Sequence, residues 1–179
     1  METTAKTKWV IDPMHTDIKF KVKHLVISTV TGGFDTFEGS ALTDGDNFTN
    51  AQVEFSADVN SINTNQADRD KHLKSPDFFD AANHPRLTFR STSFKNTGGS
   101  DYIMTGHLTI RGITKPVELK IDFGGIAKDP YGNIKAGFEL TGKINRKEFG
   151  LVWNALTEAG GMVVADEVKL QINIELARS

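Results

Sequence analysis

The chain has 179 residues, 38% of them hydrophobic, with no cysteine and a formal net charge of -2. That size and apolar content fit one domain with its own core. Lysine and arginine are spread singly along polar faces, which excludes a basic track for a nucleic-acid backbone. The lack of thiols removes disulfides, cysteine nucleophiles and cysteine-based metal sites together, and leaves the redox compartment open.

Met1 to Lys8 is polar and threonine-rich, with no apolar stretch behind a basic start, and no later run approaches the ~20 apolar residues of a spanning helix. The expectation is a cytoplasmic protein without an integral membrane segment, in transient membrane contact at most. From Asp17 to His24, the residues Ile18, Phe20, Val22 and His24 alternate with Asp17, Lys19, Lys21 and Lys23, the signature of a half-buried strand. A second strand is predicted over Gly32 to Leu42. There Phe34, Phe37, Gly39 and Ala41 do not keep one parity, which places a bulge near Asp35 and Thr36. Beyond the Asp44–Asn47 turn, Val53, Phe55, Ala57 and Val59 mark a third.

Residues 61 to 84 lose the alternation. Charged, helix-compatible Ala67 to Leu73 predicts a short helix, and Ser75-Pro76 opens a further turn, giving a helical insertion around residues 65–82. It reads equally as a lid over a cavity or as a plug in a packed barrel, since Leu73, Phe78 and Phe79 are buried in both cases.

Leu87 and Phe89 open a fourth strand, and Gly98–Asp101 turns into a fifth with Tyr102, Met104, Gly106, Leu108 and Ile110 on one face. Arg111–Pro116 reads as the connection to a sixth, Val117 to Phe123. Asp129–Asn133 then turns into a seventh with Ala136, Phe138, Leu140, Gly142 and Ile144 inward. Glu167 to Leu176 alternates unbroken over ten residues and forms the eighth. With no repeat or linker, these strands predict a single all-β domain over residues 1–179. An eight-stranded antiparallel barrel of this kind either fills its interior with side chains or holds one small ligand.

None of the histidines His15, His24, His72, His84 and His107 forms an HxH, HExxH or HxxxH pair, so no metal site is predicted. There is no GxSxG elbow, phosphate loop or dinucleotide fingerprint. The pairs Gly32-Gly33, Gly98-Gly99, Gly124-Gly125 and Gly160-Gly161 read as turns or bulges. Asp12, Asp68 and Asp70 read as caps or local acceptors rather than catalytic groups. His15 and His24 take opposite parities of the first strand, and only inward His24 can present a polar group to a bound molecule. An enzyme built on it would need Asp12 or Asp17, yet Asp17 shares the outward lysine face. No catalytic residue and no cofactor are predicted. With 12 Phe against 2 Tyr and 2 Trp the lining is dry, and inward Gly39, Ala57, Gly106, Ala136 and Gly142 either leave a channel or permit tight strand coiling.

The opening Trp9-Val10-Ile11-Asp12-Pro13-Met14-His15-Thr16-Asp17-Ile18-Lys19-Phe20 resembles the start of the YceI-like family of lipocalin-like polyisoprenoid-binding proteins. The likeness continues through Arg69-Asp70-Lys71-His72-Leu73-Lys74-Ser75, Asp77-Phe78-Phe79-Asp80 and His84-Pro85-Arg86-Leu87-Thr88-Phe89. It extends to the later blocks Gly106–Val117 and Asn145–Leu151. The resemblance implies a lipocalin-like barrel around a long pocket for a polyisoprenoid, an isoprenoid quinone or a fatty-acid-derived amphiphile such as a fatty amide. It also implies a homodimer and no catalytic mechanism. The ligand-binding positions expected on this basis are Phe20, Val22, Phe37, Phe55, Phe89, Leu108 and Phe138, with Leu73, Phe78 and Phe79 at the mouth and His24 added by its parity. Binding, carriage or sequestration of a long apolar chain is the expected function. The alternatives are an enzyme acting in the same cavity and a packed barrel acting through protein contacts.

Overall fold

In the computed structural model, which describes residues 5–155 and 163–179, every strand pairs antiparallel with its neighbours. The segments are β1 (Thr7–Ile11), β2 (Asp17–His24), β3 (Ser28–Phe34), β4 (Phe37–Asp44), β5 (Asn47–Asp58), β6 (Ile62–Asn63), β7 (Arg86–Gly98), β8 (Asp101–Ile110), β9 (Ile113–Lys128), β10 (Ile134–Asn145) and β11 (Val164–Arg178). One helix, α1 (Ala67–Lys74), lies between β6 and β7.

β1 and β2 are the halves of one wall strand. Both pair with β11, and the single 3-10 turn Pro13–His15 separates them. β3 and β4 form a second interrupted strand, broken at Asp35 and Thr36 as the parity change predicts. The break is satisfied from the loop after β5, since the Asp35 and Thr36 amides donate to the Ser61 carbonyl and hydroxyl at 3.1 and 3.0 Å. With these two joined, the pairing β1–β11 closes an eight-stranded barrel, and β6 adds a two-residue rung on β3. Closure leaves few free sheet edges to recruit another chain.

β1 lies outside every predicted strand, because in a segment this short only Trp9 is fully buried. It is nevertheless the stave that closes the ring. The reading of Arg111–Pro116 as a connection is corrected: the turn is only Arg111-Gly112, and β9 runs from Ile113 through Pro116. Proline is tolerated there because the β9–β10 ladder begins only at Lys120. Among the glycine pairs, Gly98-Gly99 turns and Gly124-Gly125 bulges β9, whereas Gly160-Gly161 lies outside the described residues. Gly32-Gly33 is neither turn nor bulge but regular strand opposite Phe20 and Lys19. A Cβ on Gly32 would stand 2.6 Å from the Phe20 ring, so glycine is required for the ring to lie flat on the wall.

The barrel has two different ends. The β4–β5, β7–β8 and β9–β10 turns, the start of β1 and the end of β11 sit at the lower one. The β2–β3 turn, the insertion 59–85, Arg111-Gly112 and residues 146–155 after β10 sit at the upper one.

Candidate ligand-binding cavity

Inside the barrel lies a cavity of about 220 Å³, and no polar surface opens into it. At ~10–15 Å³ per water-sized position, that is room for roughly fifteen to twenty small groups. Nine of the eleven predicted site residues line it: Phe20, Val22, Phe55, Leu73, Phe78, Phe79, Phe89, Leu108 and Phe138. Phe37 instead stacks beside Phe55 with ring centroids 6.3 Å apart, one layer removed from the wall. His24 keeps the inward parity and is half-buried but does not line the cavity: on β2 the lining stops at Val22, and His24 closes the β2–β3 hairpin opposite Ser28.

The inward glycines do not hollow out a channel. A Cβ on Gly106 would meet the Phe89 ring at 2.5 Å, so the space withheld by the glycine is taken by the neighbouring strand's ring. The void lies further in, between rings that hug the wall.

Its lower boundary is aromatic. Phe48 sits at the centre, with ring centroids 4.9 Å from Phe138, 5.2 Å from Trp9, 5.4 Å from Phe123 and 6.5 Å from Phe94. Phe48 and Phe94 escape a period-two reading because a kink intervenes on each strand. Asn50 takes φ 65° on β5, and the β7–β8 register shifts between Ser91 and Ser93.

The roof is the insertion. α1 buries no residue completely, yet Leu73, Phe78 and Phe79 reach down from α1 and the following turn to line the cavity. Ser75 ends the helix and accepts from the Asp77 amide at 3.3 Å, so it opens a turn rather than the start of a second helix. Arg111 anchors that turn by donating to the Pro76 and Phe78 carbonyls, each at 2.8 Å. The insertion therefore combines the two predicted roles, closing one end of the barrel while lining an open space. Above it His72 meets Phe78 and Trp153 edge-on, with ring centroids 5.1 and 4.7 Å away, and Phe78 lies tilted against Trp153.

Arg146, absent from the predicted site, organises the rest of the upper rim. It is 3% exposed and donates to the carbonyls of Leu151, Trp153, Val164 and Ala165 at 2.6 to 3.2 Å. Burial pulls its pKa down, and the carbonyls together with Asp166 at 3.9 Å offset that loss of hydration. Its donors are turned into the backbone, so the cavity stays apolar although Arg146 borders it.

A second polar cluster sits on the outside. Asp12 caps the Pro13–His15 turn through the Met14 amide, as predicted, and also bonds Lys135 Nζ at 2.7 Å and His15 Nδ1 at 2.8 Å. His15 therefore belongs to a turn rather than to the first strand, and it reaches Glu175 at 3.0 Å. Lys135, then His15, hold the Asp12 carboxyl far below the ordinary carboxylate range. Asp12, then Glu175, raise His15. Asp12, His15 and Glu175 come close enough to share a cation, but the Lys135 ammonium already supplies that charge. The group ties the β1–β2 joint to β10 and β11. Asp70 is likewise local, accepting from the Thr64 amide and hydroxyl. Among the described residues, the carboxylates that meet a histidine in this way lie outside the cavity or above its roof.

The profile of the YceI-like domain matches residues 9–176. A UPF0312 protein of Pectobacterium carotovorum is 40% identical over 174 residues, covering 97% of this chain and 87% of its own. The YceI protein of Salmonella newport is 40% identical over 161 residues, covering 90% of this chain and 81% of its own. Among solved structures, the Campylobacter jejuni YceI protein superposes with a TM-score of 0.76 at 32% identity, covering 100% of this chain and 99% of that one. A polyisoprenoid binding domain from Saccharophagus degradans shares the fold at TM-score 0.69 and 14% identity, over 96% of this chain and 98% of that one. Sequence and fold agree along nearly the whole length: the chain belongs to the YceI-like family.

Proposed function

We propose that this protein is a non-enzymatic carrier or sequestering protein that holds one long apolar chain in the barrel, tail against the aromatic floor and polar end at the upper rim. The observation that carries this reading is the cavity itself: side chains that alternation sends inward, among them Phe20, Val22, Leu170 and Ile172, remain only half-buried because the void lies in front of them. Burial supplies the drive. At ~0.8 kcal/mol per CH₂, about fifteen carbons offer ~12 kcal/mol gross, from which association and chain ordering subtract several. Micromolar or tighter binding follows.

An apolar wall reads length and bulk rather than chemical identity, so a polyisoprenoid, an isoprenoid quinone and a fatty amide are ligands of one class here. The polyisoprenoid binding domain that shares the fold supports the first of these. No polar surface faces the void, since bordering Glu54 pairs with Arg90 and Arg146 is turned onto backbone carbonyls, which argues for holding over turnover. Native mass spectrometry of freshly purified protein, followed by solvent extraction, tests the proposal. One releasable chain per protomer, or stoichiometric uptake of an added prenyl alcohol, is expected. Protein that is empty and takes up no prenyl chain overturns it.

A further inference from the structure

The β2–β3 turn is built against the usual rules. Its residues Leu25, Val26 and Ile27 are all apolar and are 41, 75 and 85% exposed. Leu25 and Val26 also take left-handed backbone, φ 55° and 66°, where Asn-Gly is the favoured pair and a β-branched valine is a costly outlier. The turn therefore accepts strain and exposed apolar surface together, at the end of the barrel that carries the cavity roof. Val152, 59% exposed, lies at the same end.

On the hairpin itself the charge is one-sided, while Asp166 and Glu167 on neighbouring β11 are taken up by Arg146, Lys147 and Lys143. Between Ile18 and Phe34 there are three lysines, Lys19, Lys21 and Lys23, and no carboxylate. Lys21 stands directly opposite Lys169 on β11, and Lys169 directly opposite Lys143 on β10, an arrangement that like-charge repulsion disfavours within a sheet. Lys143 reaches Glu167 at 3.5 Å, whereas Lys19, Lys21, Lys23 and Lys169 pair with no described carboxylate. At ~3.3 Å per strand residue, Lys23 stands about 7 Å behind Leu25, within the ~5–10 Å depth of a bilayer's headgroup layer.

We propose that the Leu25–Ile27 turn is a membrane-docking tip that seats the upper rim on a bilayer with anionic headgroups, its apolar side chains in the acyl boundary, Lys23 on the headgroups, and Lys21 and Lys169 about 13 Å behind the tip adding attraction from farther out. No helix among the described residues is long and apolar enough to cross a membrane, so contact of this kind is peripheral. A second copy of the chain fits the tip less well, because a two-fold contact through it would bring the unpaired lysines of both copies together. The inference rests on the carrier reading for its purpose, since it presents the roof of the cavity to the phase where long apolar chains reside.

Sedimentation with phosphatidylcholine vesicles, with and without phosphatidylglycerol, tests it on the full chain without added ligand. Binding is expected to the anionic vesicles and to weaken with salt. The double variant V26G/I27S should lose at least about tenfold in vesicle partition while its melting temperature stays level or rises, because glycine relieves the left-handed strain at residue 26. Lys23→Gln should lose roughly fivefold on anionic vesicles only. Failure of the wild type to bind anionic vesicles overturns the proposal, as does undiminished binding by V26G/I27S or a dimer that this variant dissolves. Uptake of a detergent-dispersed prenyl alcohol, measured on the same samples, reads the carrier function separately.

Discussion

The floor at the lower end of the barrel and the β2–β11 wall above it both turn apolar side chains inward and end in opposite states. At the floor the inward side chains meet: Trp9 and Phe48 are 0 and 1% exposed, and five aromatic rings close it. Along β2 and β11 Phe20, Val22, Leu170 and Ile172 point inward by alternation, yet they face a void and stay only half-buried. Alternation fixes the direction of a side chain and says nothing of what stands opposite it. That depends on where bulges deliver large rings and where glycine lets a ring fold back against the wall.

The contrast predicts unequal costs for equivalent truncations. Phe48→Ala removes the ring at the centre of the floor and should cost about 3–5 kcal/mol in denaturant unfolding, because a closed packing cannot collapse around the hole. Leu170→Ala enlarges an existing void and should cost about 1 kcal/mol or less, while weakening prenyl binding measurably. Equal stability losses at the two positions would remove the distinction between floor and wall.

Arg146→Met probes the upper rim. It leaves four carbonyls without their donor and should cost about 2–4 kcal/mol, with faster hydrogen exchange concentrated around Leu151–Trp153 and Val164–Ala165. Asp12→Asn cuts the outer tie between the β1–β2 joint and Lys135 and should cost on the order of 1 kcal/mol at neutral pH. Asp12 has a depressed folded pKa, so its contribution is present above the ordinary carboxylate range and is lost as pH falls through the folded value. The smallest effect belongs to exposed His15. Its folded pKa is raised, so the stability it adds is present below its ordinary pKa of ~6.5 and is lost as pH rises through the folded value. The melting temperatures of wild type and His15→Gln should accordingly converge with rising pH.

Much of this architecture is legible in the residues themselves. β2, β8 and the Glu167–Leu176 stretch of β11 alternate, and parity sends most of the wall inward, including Phe20, Val22, Phe89 and Leu108. What escapes does so for identifiable reasons. Phe48 and Phe94 lie beyond kinks that reverse parity, and β1 is too short to show a period. Arg146 sits in a 3-10 turn where no periodicity marks it, and its carbonyl partners gather only on folding. Lys135 reaches Asp12 across 123 residues of chain and Glu175 meets His15 from β11, although the Asp12-Pro13 pair with His15 following already suggests a capped turn.

The two tryptophans report on the two ends directly, Trp9 against the floor and Trp153 at the upper rim. Fluorescence quenching by a prenyl or fatty chain brominated at its apolar end, read in the single-tryptophan variants Trp153→Phe and Trp9→Phe, tests the orientation and depth of binding most directly. The tail-first account predicts strong quenching of Trp9 and little of Trp153, reversed when the bromine is moved next to the polar end. Quenching of Trp153 alone by both chains, or of neither tryptophan, would contradict it.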